Sequence, residues 1–263
     1  MLQTTTKLIM PTMPLYMMHK VLKLFIIVFL LTSATSIKAK VYLVSVGITD
    51  YPGTSMDLNL PAKDAQTISW LYSKNTDVEY IQLLNEQATT QNITSSMRKT
   101  FAKASTYDIV VLFFSGHGYP GGFVAYDGQL TYTQVRKAMA TSKCKNKMIF
   151  ADACFAGKIR TNGNASQSSI QAAKKANVIL FLSSRSYEKS MERPSMQNGF
   201  FTTYLQKGLR GGADKNRDRI ITAHELYEYV HNKVDSISRG KQHPTMWGNF
   251  DDNMPVMKWT KKK

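Results

Sequence analysis

Apolar and polar positions fall in blocks along the chain, and the blocks switch between two periods. Val41-Tyr-Leu-Val-Ser-Val-Gly47 is a nearly unbroken β-branched run closed by a glycine, the pattern of a strand buried on both faces. Pro61 opens a helical stretch over 62–72, with Ala65, Ile68 and Leu71 at helical spacing. Residues 78–84 form a second strand. Thr89 or Thr90 caps a helix in which Ile93, Met97 and Phe101 recur every four residues. The run 107–114 is the strongest strand in the chain. A short helix over 130–140, capped by Thr131 or Thr133, precedes strands over 147–151 and 177–183. Helices over 200–209 and 223–234 and an edge strand over 255–259 complete the pattern. Strands apolar on both faces, alternating with amphipathic helices, predict an α/β sandwich with a mostly parallel sheet. In such sheets ligands bind beyond the C-terminal ends of the strands.

The N-terminus follows a different rule. Residues 1–39 contain no acid. Lys20 and Lys23 precede the apolar run 24–31, and the small residues 32–36 follow, with Ile37, Lys38 and Ala39 beyond. This is the pattern of a secretory signal peptide over residues 1–39, cut after Ser36 or Ala39, which predicts an exported protein, periplasmic or secreted. Met17 or Met18 as the start would give a shorter signal. No apolar run reaches the roughly 18 residues of a membrane span. The mature chain, residues 40–263, is expected to be one domain.

Composition narrows the partners. The 263 residues carry 34 Lys and Arg against 18 Asp and Glu, with 43% apolar residues, which describes a folded chain. Removing 1–39 takes away four lysines and lowers the formal charge from +16 to +12. The basic residues are scattered, with no stripe interleaved with aromatics, so nucleic acid is not an expected partner. After signal cleavage, neither is a membrane. Two cysteines exclude a disulfide framework and any Cys-rich zinc module.

Reactive side chains follow two strands. The strand 107–114 runs into Ser115-Gly116-His117-Gly118, and the strand 147–151 into Asp152-Ala153-Cys154. Parallel neighbours would bring both ends to one edge. A thiol is the most nucleophilic neutral side chain, and an imidazole can take its proton or protonate a leaving amine. The amides of Gly118 and Cys154 could face a developing oxyanion. A carboxylate two residues before the nucleophile is placed to hold a guanidinium or ammonium. Cys144 precedes a strand, at the opposite edge, and is expected to be a bystander.

Ser115-Gly116-His117-Gly118 followed by Asp152-Ala153-Cys154-Phe155-Ala156-Gly157 resembles the caspase-like cysteine peptidases, the metacaspase and paracaspase branch in particular. Leu60-Pro61-Ala62-Lys63-Asp64-Ala65 is similar to the family's Asn-Asp-Ala segment, with Lys63 in place of Asn. Leu182 to Arg185, then Glu188, Glu192 and Gly199 to Thr202, look like its substrate-binding loop and following helix. The resemblance spans about 40–259. It implies a three-layer α/β/α sandwich with a mostly parallel central sheet. It implies hydrolysis of protein or peptide substrates after Arg or Lys by a His117–Cys154 dyad. The oxyanion hole would be Gly118 and Cys154, and the basic residue before the cut would be held by Asp64 and Asp152. Phe155-Ala156 stands where metacaspases carry His-Ser, which the dyad chemistry does not require. Self-cleavage after Lys158, Arg160 or Lys175 would be a natural regulation. The alternatives are a catalytically silent binding module of the same fold and a clostripain- or gingipain-type peptidase.

No cofactor is required for this chemistry. Asp214, Asn216, Asp218 and Glu225 match calcium-loop positions 1, 3, 5 and 12, so Ca2+ is the one metal the sequence suggests. Arg219 occupies the position where that loop needs glycine. The competing reading is a helix start in which Thr222 and Glu225 form a capping box. The segment 242–252, rich in aromatics and acids, is expected to pack on the sheet edge.

Overall fold

The computed structural model describes residues 39–153, 178–184, 190–191, 196–248 and 252–259. The signal-peptide reading of 1–39 therefore falls outside the described residues, Ala39 excepted. So do Cys154, Phe155, Ala156, Lys158, Arg160, Lys175, Arg185, Glu188 and Glu192.

A six-stranded sheet forms the centre. Its strands are β1 (Val41–Gly47), β2 (Val78–Leu84), β3 (Ile109–Gly116), β7 (Asn146–Ala153), β8 (Val178–Leu182) and β10 (Thr245–Trp247), in the order β10-β8-β7-β3-β1-β2. Every pairing is parallel except β10 against β8. The expected packing of 242–252 on the sheet edge is met by β10. The expected last edge strand is β11 (Pro255–Lys258), but it pairs with the short β9 (Ile220–Thr222) in a separate ribbon.

The two-residue period of the strands sorts the helices. Val44, Val46, Leu112, Phe114, Ile149 and Ala151 share one core with helices α2 (Thr90–Phe101) and α3 (Tyr132–Met139). Leu43, Val111, Phe113, Met148 and Phe150 face the other way, against α1 (Pro61–Asn75), α4 (Phe200–Lys207) and α5 (Ala223–Ser238). This is the three-layer α/β/α sandwich with a mostly parallel sheet. Thr89 caps α2 by accepting from the Asn92 amide, and Thr131 closes a capping box with Gln134. The helix expected over 130–140 starts later because 118–131 folds instead into a hairpin sheet of β4 (Gly118–Tyr119), β5 (Gly122–Ala125) and β6 (Gly128–Thr131). Its strands are too short to show a period.

One contact sets where α1 begins. A side chain on Gly47, the last residue of β1, would lie 2.2 Å from the carbonyl oxygen of Pro61. The first turn of α1 thus rests on the strand end, which places Asp64 beside the neighbouring ends of β3 and β7. Ser45 ties the same region by donating to the Ala65 carbonyl at 2.9 Å. Gly47→Ala should cost about 1–3 kcal/mol through overpacking and lower the melting temperature by several degrees in a thermal scan. An unchanged melt would mean that α1 is not seated by this contact.

Candidate active site

The register of β3 against β7 pairs Ser115 with Asp152 and Gly116 with Ala153. The next residues in the chain are His117 and Cys154. His117, Ser115, Gly116, Asp64 and Asp152 line one cleft of about 290 Å3, together with Leu58, Pro61, Ser190 and Gly199. The structure thus brings His117, Asp64 and Asp152 together. Gly118 opens β4 and pairs with Phe123 in the hairpin behind the histidine.

The segment 48–58 and the hairpin fix His117. Its Nε2 lies 2.7 Å from the carbonyl oxygen of Met56. A carbonyl only accepts, so Nε2 carries the proton and Nδ1 of the neutral ring holds the free lone pair. The Tyr51 hydroxyl accepts from the His117 amide at 3.0 Å and donates to the Val124 carbonyl at 3.2 Å. Burial pushes the Tyr51 phenol up, which keeps it protonated for that second bond. The Tyr51 and His117 rings lie 5.0 Å apart. Gly116, at φ 155°, leaves room for the phenol: a Cβ there would lie 2.7 Å from the Tyr51 oxygen. Tyr51 and Met56 carried no sequence signal, because 48–58 has no apolar period and Met56 acts through its backbone.

The two carboxylates are buried, with 1% of Asp64 and 6% of Asp152 exposed. Asp64 accepts from Asn198 Nδ2 at 2.7 Å, the Gly199 amide at 3.3 Å and Ser115 Oγ at 2.9 Å. Asp152 accepts from the Thr202 amide at 3.2 Å, Thr202 Oγ1 at 2.8 Å and the Ser190 hydroxyl. Gly199, the N-cap of α4, has no side chain to bind the first-turn amides, and Asp152 takes that part for Thr202. Asp152 is therefore both a capping carboxylate and a wall of the cleft. A Cβ on Gly199 would sit 3.0 Å from Asp152 Oδ2 and 3.7 Å from Asp64 Oδ2, so the two carboxylates flank one glycine. Among the described residues no Lys or Arg pairs with either. Counting two lone pairs per oxygen, Asp64 Oδ2 and Asp152 Oδ1 each keep one acceptor direction free of described partners.

Burial first, and then the charge of Asp152, push the Asp64 carboxyl well above the ordinary value of 3.8, against its hydrogen bonds. Burial also raises Asp152, opposed by Ser190 and Thr202.

A family model for the caspase domain matches residues 41–254. The chain belongs to the caspase domain family. Members of this family are typically cysteine peptidases. Solved structures that share its fold include the following two. A Geobacter sulfurreducens protein is 16% identical over 84% of this chain and 100% of that one, with a TM-score of 0.62. Caspase-1 from Spodoptera frugiperda is 15% identical over 86% of this chain and 93% of that one, with a TM-score of 0.59. No curated protein matches the chain.

Away from the cleft, Cys144 lies two residues before β7, buried, its thiol donating to the Asp108 carbonyl at 2.6 Å. Burial pushes that thiol up to about 11, far from a nucleophile's range. The loop from 214 to 225 is closed by its own bonds. Asp214 accepts from the Arg219 amide at 3.1 Å, Asn216 from the Asp218 amide at 3.0 Å and Asp218 from the Ile220 amide at 2.8 Å. Glu225 accepts from the Lys215 amide and from Thr222, with which it forms the capping box that starts α5. Arg219 adopts the left-handed backbone, at φ 69°, that a calcium loop reserves for glycine. Asp214 Oδ1 is buried without a partner. Among the described residues no three His, Cys, Asp or Glu side chains group as a metal site.

A raised carboxyl pKa contributes stability that is fully present below about pH 3.8 and is lost as pH rises through the folded value. Asp64→Asn keeps the acceptor for Asn198 and Gly199, and its new amide can donate to the Ser115 hydroxyl. It should therefore melt higher than wild type at pH 8, with the difference closing toward pH 4. A lower melt at pH 8 would mean that the buried charge is compensated.

Proposed function

We propose that the chain is an exported cysteine endopeptidase that cleaves protein and peptide substrates after Arg or Lys. One observation carries the specificity: two buried carboxylates without a described counter-ion on the wall of the cleft that holds His117. Their two free acceptor directions suit the forked donors of a guanidinium, and an ammonium can also occupy the site. A cation there would offset both the mutual repulsion and the burial of charge.

Cys154, next in the chain after Ala153, is the nucleophile in this reading. Its thiol proton passes to His117 Nδ1, the ring nitrogen left unprotonated by the bond to Met56. The thiolate sulfur attacks the carbonyl carbon of the scissile bond, and the oxyanion is received by the amides of Gly118 and Cys154. His117, now cationic and held by the Met56 carbonyl, gives its proton to the leaving amine, and a thioester remains. Water, losing a proton to the same nitrogen, attacks the thioester, releases the acid and restores the thiol. Residues 1–39 direct the protein out of the cytoplasm. The resemblance to metacaspases and paracaspases agrees with a pocket for basic residues.

Fluorogenic peptides that differ only in Arg, Lys or Asp at the cut test this. Hydrolysis of the Arg and Lys peptides, abolished in Cys154→Ala, is expected. Asp64→Asn should lower kcat/KM on the Arg peptide by about 10- to 100-fold, the loss of one charged hydrogen bond of roughly 1.5–3 kcal/mol. Because both carboxyl pKa values are raised, kcat/KM on basic peptides should also fall as pH drops through them. Cleavage of the Asp peptide would overturn the pocket assignment. No cleavage by the native enzyme or after limited nicking would overturn the peptidase reading.

A further inference from the structure

Gln242 lies in the turn between α5 and β10, on neither strand end that carries the proposed chemistry, yet its side chain is bonded to Ser183, beside the end of β7, and to the segment Ser190–Met191. It is fully buried, with 0% exposed. Its backbone is pinned: Ser238 Oγ accepts from the Gln242 amide at 3.0 Å, and the turn passes through Arg239 and Gly240, both at positive φ. Its Nε2 donates to the Ser183 carbonyl at 2.8 Å, and its Oε1 accepts from the Met191 amide at 2.9 Å. These two partners fix the amide's orientation, since one only accepts and the other only donates. Nε2 also lies 3.4 Å from Ser190 Oγ. An amino group can only donate, so the Ser190 oxygen accepts and its own proton is left to point at Asp152 Oδ1.

The base of this bracket is firm. The Ser183 amide donates to the Ala151 carbonyl at 2.9 Å, and its Oγ lies 3.2 Å from the amide of Ala153. Gln242 therefore bridges the end of β7, through Ser183, to the segment Ser190–Met191 that carries a hydroxyl onto Asp152.

We propose that Gln242 is a positioning residue for the Asp152 wall of the cleft, acting through Ser190. The inference rests on the reading of the cleft as the pocket for a basic side chain. Without the Gln242 donor the Ser190 hydroxyl is free to turn, and Asp152 loses a bond that favours its charged form. Besides Ser190 and Thr202, the groups facing Asp152 from the packed elements are Ser115 on β3 and Asp64 on α1, with His117 on the same cleft. Asp64 is the one charged neighbour among the described residues.

Gln242→Glu is the sharpest variant. It keeps the acceptor for Met191, removes both N–H donors and offers the Ser190 hydroxyl a competing carboxylate. On an Arg peptide it should raise KM about tenfold with kcat within about twofold, and shift the acid limb of kcat/KM to higher pH. Ser190→Ala should do the same, and the double variant should be no worse than either single. Proportional losses in kcat and KM with an unmoved limb, or additive effects in the double variant, would overturn the proposal. Should Gln242→Glu fail to fold, an unmoved limb in Ser190→Ala overturns it alone. A carbon-13 titration of the Asp152 carboxyl in the full chain needs no activity. A higher pKa in either variant supports the proposal, and an unchanged one contradicts it. If wild type cleaves no basic peptide, the functional reading fails while the titration still decides the role of Gln242.

Discussion

Two carboxylates buried side by side, with no described cation between them, are the constraint that organises this molecule. Left alone, such a pair is costly, because burial and mutual repulsion both disfavour charge. The fold supplies hydrogen bonds from four directions. To Asp64 and Asp152, β3 lends Ser115, the segment before α4 gives Asn198 and Gly199, the first turn of α4 gives Thr202 and the segment 190–191 gives Ser190. These bonds hold the oxygens in place without neutralising them. In the proposed function what they leave is a place for a cation at the C-terminal edge of a parallel sheet, where α/β sandwiches bind their ligands.

The same edge carries the other half of the chemistry. His117 follows β3 directly, and its orientation is set by the Met56 carbonyl, the Tyr51 phenol and the hairpin behind them. A bond from Nε2 to a carbonyl leaves the opposite ring nitrogen with the free lone pair, the base of the proposed mechanism. The parallel register then makes the residues after Gly116 and Ala153 sequence neighbours of paired positions. Members of the caspase domain family are typically cysteine peptidases, and the proposed function sets peptide hydrolysis in this cleft. In the proposed function the carboxylates give that activity its preference for basic substrates.

Much of the architecture was legible in the sequence because the strands are apolar on both faces. β1 and β2 fall on the expected residues, and β3, β7 and β8 lie within two residues of them. The helical starts at Pro61, Thr89 and Thr222 follow from local capping chemistry. The hairpin over 118–131, the short strand β9 to which β11 pairs and the strand β10 were hidden, because segments of two to four residues show no period. At the site, His117, Asp64 and Asp152 could be named because each sits at a strand end or in a helix's first turn. Tyr51, Met56, Asn198 and Gln242 could not. Their contributions depend on loops that only the tertiary fold brings to the cleft, and Met56 contributes no side chain at all. The loop 214–225 was legible as a polar turn with a capping box, and Thr222 and Glu225 form that box.

The central claim is that the charge of the substrate side chain, not its shape, is read by Asp64 and Asp152. Citrulline is nearly isosteric with arginine and neutral, so a pair of peptides differing only in that residue before the cut isolates the charge. The account predicts that kcat/KM for the citrulline peptide is at least about 100-fold below that for the arginine peptide in the wild-type enzyme, and that Asp64→Asn narrows the gap. Equal hydrolysis of the two peptides by wild type would contradict it.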